Sequence, residues 1–161
     1  MIVVSDTSPI MNLAVIDQLN LLEKLYQKVF IPEAVFHELL TTLPESAAGR
    51  VIPKTLWLEK RIVANQSLVD SLILELDLGE AEAIVLAMEM KSDLLLLDER
   101  RARQVSSRLG LKFIGLLGIL VEAKQKGYIG AVKPIIDDLM VKAGFWVGSR
   151  LYNRILREVK E

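Results

Sequence analysis

The chain has 161 residues, of which 52% are hydrophobic and 25% charged, with a net charge of −1 and a sequence pI near 5.9. That balance predicts one packed domain, excludes a disordered chain, and carries no global electrostatic signal for nucleic acid. With no cysteine and a single histidine, His37, it also excludes disulfides, thiolate chemistry and multi-histidine zinc sites.

The chain opens on Ile2-Val3-Val4-Ser5, a short β-branched run that is apolar on both faces, as a central parallel strand must be. It stops at Asp6-Thr7-Ser8-Pro9. Helical patterns follow at 8–15 and 18–26, then a very short strand at 29–31. Pro32 holds a favourable first-turn position and predicts a helix to about residue 40. The stretch 41–54, with Pro44, Gly49 and Pro53, reads as the loosest part, with room for a short helix between turns. A strand of weaker alternation is predicted at 57–64, and helices at 67–76 and 79–90. The clearest strand is Leu94-Leu95-Leu96-Leu97, bounded by Asp93 and Asp98. A helix over 99–109 ends at Gly110, a last strand covers 112–114, and helices at 116–126, 134–143 and 148–159 complete the chain. Strands alternating with helices predict an α/β fold with a parallel sheet covered on both sides. The longest uncharged run, 113–121, falls far short of the ~20 residues that span a bilayer. The start lacks the basic segment of a secretory signal. A cytoplasmic location is the expectation, in keeping with the absence of cysteine.

In parallel sheets the ligand site lies beyond the carboxyl ends of the strands. Asp6 directly follows the first strand and Asp98 follows the tetraleucine strand, so neighbouring strands would present both carboxylates at one edge. Glu38 lies in the helix after Pro32, and Glu80 and Glu82 lie at the start of the helix 79–90. Acids aimed at one place repel and hold protons unless a cation joins them. With only hard oxygens on offer, Mg²⁺ or Mn²⁺ suits the set, and phosphodiester cleavage is the chemistry such a site performs. Each acid also has a plainer role. Asp6 and Asp98 can cap the helices that follow them, Glu38 can be an exposed helical glutamate, and Glu80 can complement a helix dipole. Glu80 and Glu82 stand about 200° apart around a helix that is apolar nearly all round, so periodicity does not choose between them. Arg100, Arg101, Arg103 and Arg108 crowd one segment, while Arg150, Arg154 and Arg157 share a helical face. Both clusters read as a solvated face or as a phosphate-contacting rim.

The ordered set Ser5-Asp6-Thr7-Ser8-Pro9-Ile10, Ile31-Pro32-Glu33-Ala34-Val35-Phe36-His37-Glu38-Leu39, Leu78-Gly79-Glu80-Ala81-Glu82-Ala83-Ile84 and Leu95-Leu96-Leu97-Asp98-Glu99 resembles the PIN-domain family. It is most similar to the branch long catalogued as a domain of unknown function. The resemblance implies a three-layer α/β/α sandwich around a mostly parallel sheet. It implies one domain over 1–161, in which 131–161 is a C-terminal helical extension beyond the usual short toxin core. It further implies a Mg²⁺- or Mn²⁺-dependent ribonuclease site. In that site Asp6 matches the first acid, Thr7 or Ser8 its supporting hydroxyl, Glu38 the helical glutamate and Asp98 the fourth acid. Glu82 is the choice for the third acid, with Glu80 in reserve; glutamate stands there in place of the aspartate of better-known toxins. On this pattern Asp6, Glu82 and Asp98 hold metal, Glu38 completes the site or orients the attacking water, and Arg100, Arg101 and Arg103 meet RNA phosphates. Many relatives are toxins of type II toxin–antitoxin pairs and form homodimers, so RNA, an antitoxin protein and a second copy are the implied partners, with no membrane. The alternative is a non-catalytic binding module whose acids cap helices and whose C-terminal helices hold a protein.

Overall fold

A computed structural model describes residues 1–42 and 52–161. In chain order they form β1 (Val3–Ser5), α1 (Thr7–Val15), α2 (Asn20–Tyr26), β2 (Val29–Pro32), α3 (Glu33–Thr42), a 3₁₀ turn (Ile52–Lys54), β3 (Leu58–Arg61), α4 (Gln66–Leu72), α5 (Leu78–Met90), β4 (Leu94–Leu96), α6 (Arg100–Arg108), β5 (Phe113–Ile114), α7 (Leu116–Gln125), α8 (Lys133–Lys142) and α9 (Ser149–Glu158). The five strands make one parallel sheet in the order β3-β2-β1-β4-β5.

Strand side chains alternate between the two faces of the sheet, and here both faces are buried. Val3, Val29, Ile31, Leu94 and Leu96 belong to one apolar cluster, which draws its helical residues from α1, α2, α3, α7, α8 and α9. Val4, Phe30, Leu95 and Leu97 belong to a second cluster, filled from the other side by α4, α5 and α6. The result is the three-layer α/β/α arrangement. It explains why β1 and β4 carry no polar side chain before Ser5 and Asp98. Helix α5 is apolar nearly all round, as expected, and all its residues from Gly79 to Ala87 except Glu82 are buried.

Several boundaries differ from those expected. Pro32 closes β2 instead of opening a helix, paired with Arg61, and α3 begins one residue later. Strand β3 is half the predicted length. It pairs only with β2 at the sheet edge, and Ile62 just past it is exposed, so no second neighbour rewards further extension. The loose stretch predicted at 41–54 falls mostly outside the described residues; Thr41 and Thr42 end α3, and 52–54 form the 3₁₀ turn. Gly110 takes a φ of +74° after α6, the left-handed conformation that stops a helix and suits glycine.

The C-terminal helices are part of the main cluster: Ile135, Ile136 and Leu139 of α8 and Ile155 of α9 are buried in it. Glu161 fastens them. Its carboxylate accepts from the Val132 and Lys133 amides at 2.7 and 3.0 Å and from Lys124 Nζ at 2.8 Å, which satisfies amides that the start of α8 leaves open. No helix among the described residues is long and apolar enough to cross a membrane.

Leu96 is fully buried in β4, which is paired on both sides. Leu96→Ala should cost about 2–5 kcal/mol through lost burial and an unfilled cavity. A urea titration should show a lower midpoint at unchanged slope.

Candidate active site

The site starts from the pairing of the two most apolar strands. Val3, Val4 and Ser5 stand opposite Leu94, Leu95 and Leu96, and the Asp6 amide continues the ladder by donating to the Leu96 carbonyl at 3.0 Å. Asp6 and Asp98 therefore leave the sheet at the same end. From β1 the chain first crosses to β2 and β3 on one side, and returns later to β4 and β5 on the other. Such a reversal opens a crevice at the strand ends, where ligands bind in open α/β sheets.

A cavity of about 260 Å³ lies there, lined by the carboxylates of Asp6, Glu38, Asp77, Glu80, Asp98 and Glu99, with Thr7, Ser8 and Met11 beside them. Gly79 stands among three of the acids. A methyl group there would sit 3.0 Å from Glu38 Oε2 and 3.6 Å from both Asp6 Oδ1 and Asp77 Oδ1. Three carboxylates from three elements thus approach one backbone position that carries no side chain.

Asp6 occupies the N-cap position of α1, yet its side chain makes no capping bond. It is 5% exposed. Burial pushes its carboxyl up to about 7; the Thr7 amide opposes this, while Glu80, Asp77 and Glu38 add repulsion. The neighbouring hydroxyls bond elsewhere. Thr7 Oγ1 donates to Glu38 Oε2 at 2.9 Å, which holds this otherwise exposed glutamate over the cavity. Ser5 donates to the Asp6 backbone carbonyl, and Ser8 accepts from Asn12.

Asp98 does not cap α6; Glu99 does, accepting from the Ala102 amide at 2.8 Å. Asp98 Oδ1 instead reaches across the edge to the first amide of α7, that of Leu116, at 2.8 Å. Its Oδ2 is buried and, among the described residues, has no hydrogen-bond partner. Burial raises the Asp98 pKa, against the lowering effects of the Leu116 amide, the Arg103 guanidinium and the nearby Ser8 hydroxyl.

Glu80 and Glu82 separate, as their angular spacing requires. Glu80 faces the cavity, 8% exposed, and shares a capping box with Asp77. The Glu80 amide donates to Asp77 Oδ1 at 2.8 Å and the Asp77 amide to Glu80 Oε1 at 3.0 Å. Burial lifts the Glu80 carboxyl to about 7, opposed by the Asp77 amide and reinforced by the Asp77 and Glu99 charges. Glu82, the expected third acid, is not among the cavity residues. Its Oε1 accepts from the Ala34 amide at 3.1 Å, in the first turn of α3, so it joins α5 to the helix that carries Glu38. Of the two glutamates left open for the third acid, Glu80 is the one that lines the cavity.

The three arginines also divide. Arg100 and Arg101 are exposed and do not line this cavity. Arg103 is committed to the protein. Its Nε donates to the Leu97 carbonyl at 2.9 Å, its guanidinium lies over the Phe113 ring, and Nη2 stands 3.8 Å from Asp98 Oδ1. Gly115 makes this possible, since a side chain there would overlap the guanidinium. Asp77 was not anticipated as a cavity residue, although Asp77-x-x-Glu80 carries the capping-box signature.

As the side chains stand, no group of three or more histidine or carboxylate side chains among the described residues converges on a single metal position. The donor chemistry nevertheless fits a hard divalent cation. Apart from the Met11 thioether every cavity donor is oxygen, one buried carboxylate oxygen of Asp98 has no partner among the described residues, and Gly79 leaves space between Asp6 and Glu38 that a Cβ would crowd.

A family model for the PIN domain matches residues 2–161, nearly the whole chain and both C-terminal helices. No curated protein matches the chain.

The raised carboxyls set a pH dependence. A carboxyl whose folded pKa exceeds its unfolded value contributes stability that is complete below the unfolded value and is lost as pH rises through the folded one. For Asp6 and Glu80 that window runs from about 4 to about 7. In chelator-treated buffer the melting temperature should fall between pH 5 and pH 8. Asp6→Asn should flatten that fall and be as stable as wild type, or more so, at pH 8. An unchanged slope in the variant would remove Asp6 as its source.

Proposed function

Because the chain belongs to the PIN-domain family, whose members are generally nucleases, we propose that it is a metal-dependent endoribonuclease with its site at the β1–β4 edge. The observation that carries this reading is the shared cavity in which Asp6, Glu38, Glu80 and Asp98 meet. Mg²⁺ or Mn²⁺, when bound, supplies an activated water and neutralises charge on the phosphate and the leaving oxygen. Asp6, Glu80 and Asp98 are the residues to hold it, with Glu80 in the role first given to Glu82. Asp98 is pre-set by the Leu116 amide, which fixes Oδ1 and leaves the buried Oδ2 for a ligand. Glu38, steadied by Thr7, orients the attacking water. A toxin role, restraint by an antitoxin protein and a homodimeric state belong to the same proposal and rest on the family resemblance.

A second reading has its own support. Asp77, Glu80, Glu82, Asp98 and Glu99 all accept backbone amides, which is what a non-catalytic module with structural acids would also show.

Paired variants separate the two. Asp6→Asn and Glu80→Gln should lose Mn²⁺ binding by calorimetry and slow RNA cleavage by about 100-fold or more, since a ligand to such an ion is worth several kcal/mol. Glu82→Gln should cut RNA within about threefold of wild type. The reverse pattern, with Glu82→Gln inactive and Glu80→Gln active, would return the third acid to Glu82. A wild-type protein that neither binds Mn²⁺ nor cuts RNA would establish the module. Gly79→Ala, which crowds Glu38 and Asp6, should weaken Mn²⁺ binding while the protein still melts cooperatively.

A further inference from the structure

Asp98 has a cation on the side away from the other acids. It lines the acid cavity and also a second cavity of about 410 Å³, whereas Arg103 lines the second and not the first. The guanidinium takes hold of two successive residues. Its Nε donates to the Leu97 carbonyl at 2.9 Å, and Nη2 stands 3.8 Å from Asp98 Oδ1. We propose that Arg103 is a positioning residue for Asp98: seated in a slot that Gly115 leaves open, it holds one carboxylate oxygen on the far side, so that the other is presented to a divalent cation in the acid cavity. This deepens, and rests on, the nuclease reading above.

Three elements build the slot. Glu99 caps α6, and the Arg103 amide donates to the Glu99 carbonyl at 3.0 Å, which fixes where the arginine side chain leaves the helix. The Phe113 ring of β5 lies 5.5 Å from the guanidinium carbon, a flat surface for a planar cation. Gly115 completes the slot. A side chain there would overlap Arg103 Nη2 and come within 3.0 Å of Arg103 Cζ and 2.9 Å of Asp98 Oδ1. Its φ of −96° and ψ of 179° are open to any residue, so the constraint on this glycine is space. As the N-cap of α7 it also brings no side-chain acceptor of its own, and the Leu116 amide goes to Asp98 Oδ1 at 2.8 Å. Amide and guanidinium thus meet the same oxygen, while Oδ2 is left buried without a partner among the described residues.

A guanidinium suits this task. Its Nε and Nη2 are separate donors on one rigid plane, so one reaches the main chain while the other faces the carboxylate. A lysine ammonium is a single point of charge and cannot span both. Because Arg103 does not line the acid cavity, its effect on the chemistry passes through Asp98. Charge alone would act in the opposite sense, since a cation beside the site repels a second cation. Orientation of a ligand by an outer partner strengthens metal binding. The sign of the change on removing Arg103 separates the two.

The test uses the full-length wild type, Arg103→Ala, Arg103→Lys, Gly115→Ala and the Arg103→Ala/Gly115→Ala double variant. Arg103→Ala and Gly115→Ala should each bind Mn²⁺ about tenfold or more weakly by calorimetry. Their RNA cleavage should lose kcat, with KM within about twofold of wild type. The salt dependence of kcat/KM should stay as in wild type, whereas loss of a phosphate contact would shallow its logarithmic slope by about 0.7–0.9. In metal-free protein the Leu116 amide should exchange its hydrogen about tenfold or more faster in Arg103→Ala, while the Leu95 amide in the centre of the sheet keeps wild-type protection. Arg103→Lys should fall nearer to Arg103→Ala than to wild type. Gly115→Ala should cost less Mn²⁺ affinity in the Arg103→Ala background than alone, because the guanidinium it displaces is already gone.

Unchanged or tighter Mn²⁺ binding in Arg103→Ala, or an unchanged Leu116 amide, overturns the proposal. So does a raised KM with a shallower salt slope at wild-type Mn²⁺ affinity, which returns Arg103 to a phosphate contact. Wild-type values in Arg103→Lys assign the effect to charge, and an equal cost of Gly115→Ala in both backgrounds removes the slot; each overturns it as well. If wild type binds Mn²⁺ and cuts RNA while Arg103→Ala matches it, the positioning role alone falls. If wild type does neither, the nuclease reading falls and this role with it.

Discussion

Everything at the acid edge depends on the parallel pairing of β1 with β4. The two strands are buried on both faces, so their order and register are set by apolar packing. Once Val4 stands opposite Leu95, Asp6 and Asp98 must emerge together at the carboxyl end. A one-residue slip would move every strand side chain to the wrong cluster and separate the acids as well. The core and the site are thus specified by the same contacts.

The same geometry explains how one edge tolerates six carboxylates. A parallel sheet sends each strand end into a helix, so helix N-termini, with their open amides and positive dipole ends, collect at this edge. Asp77 meets the start of α5, Glu99 that of α6 and Asp98 that of α7, while Glu82 meets α3. Amides stand in for cations at most of these acids. Asp6, whose side chain makes no cap, and Glu38, which accepts the Thr7 hydroxyl instead, are the exceptions; at Asp6 the consequence is largest. Burial dominates there, and the carboxyl is driven to about 7. At Glu80 one oxygen is capped and burial still dominates.

Much of this was legible from residue order. The tetraleucine strand, the apolar start and the alternation of strands with helices define the sheet, and Asp6 and Asp98 follow from the rule that sites lie beyond strand ends. The choice between Glu80 and Glu82 was not legible. Helix α5 is buried nearly all round, so periodicity carries no orientation, and the decision comes from a distant amide, that of Ala34, which takes Glu82. The partners of Arg103 and Asp98 were hidden for a similar reason. Both depend on the turn at Gly115, whose missing side chain admits the guanidinium and whose successor, Leu116, presents its amide. Such contacts run between separate elements and depend on how the turns place them, and no local pattern encodes them. Asp77 was within reach, since its spacing from Glu80 is a local signature.

The placement of amides also divides the labour within single carboxylates. At Asp98 one oxygen is fixed by Leu116 and the other is buried without a partner among the described residues. Leaving a buried acceptor unpaired costs about 1–3 kcal/mol, and burying a carboxylate away from water adds a desolvation penalty. A purely structural acid would avoid both penalties, as Glu82 and Glu99 do by taking an amide at the surface of the sheet edge. Asp6 and Asp98 instead keep theirs inside the fold, at the point where the strands converge. Any cation that entered would relieve the orphaned oxygen and the carboxylate repulsion together. The strain is local and the relief would be shared.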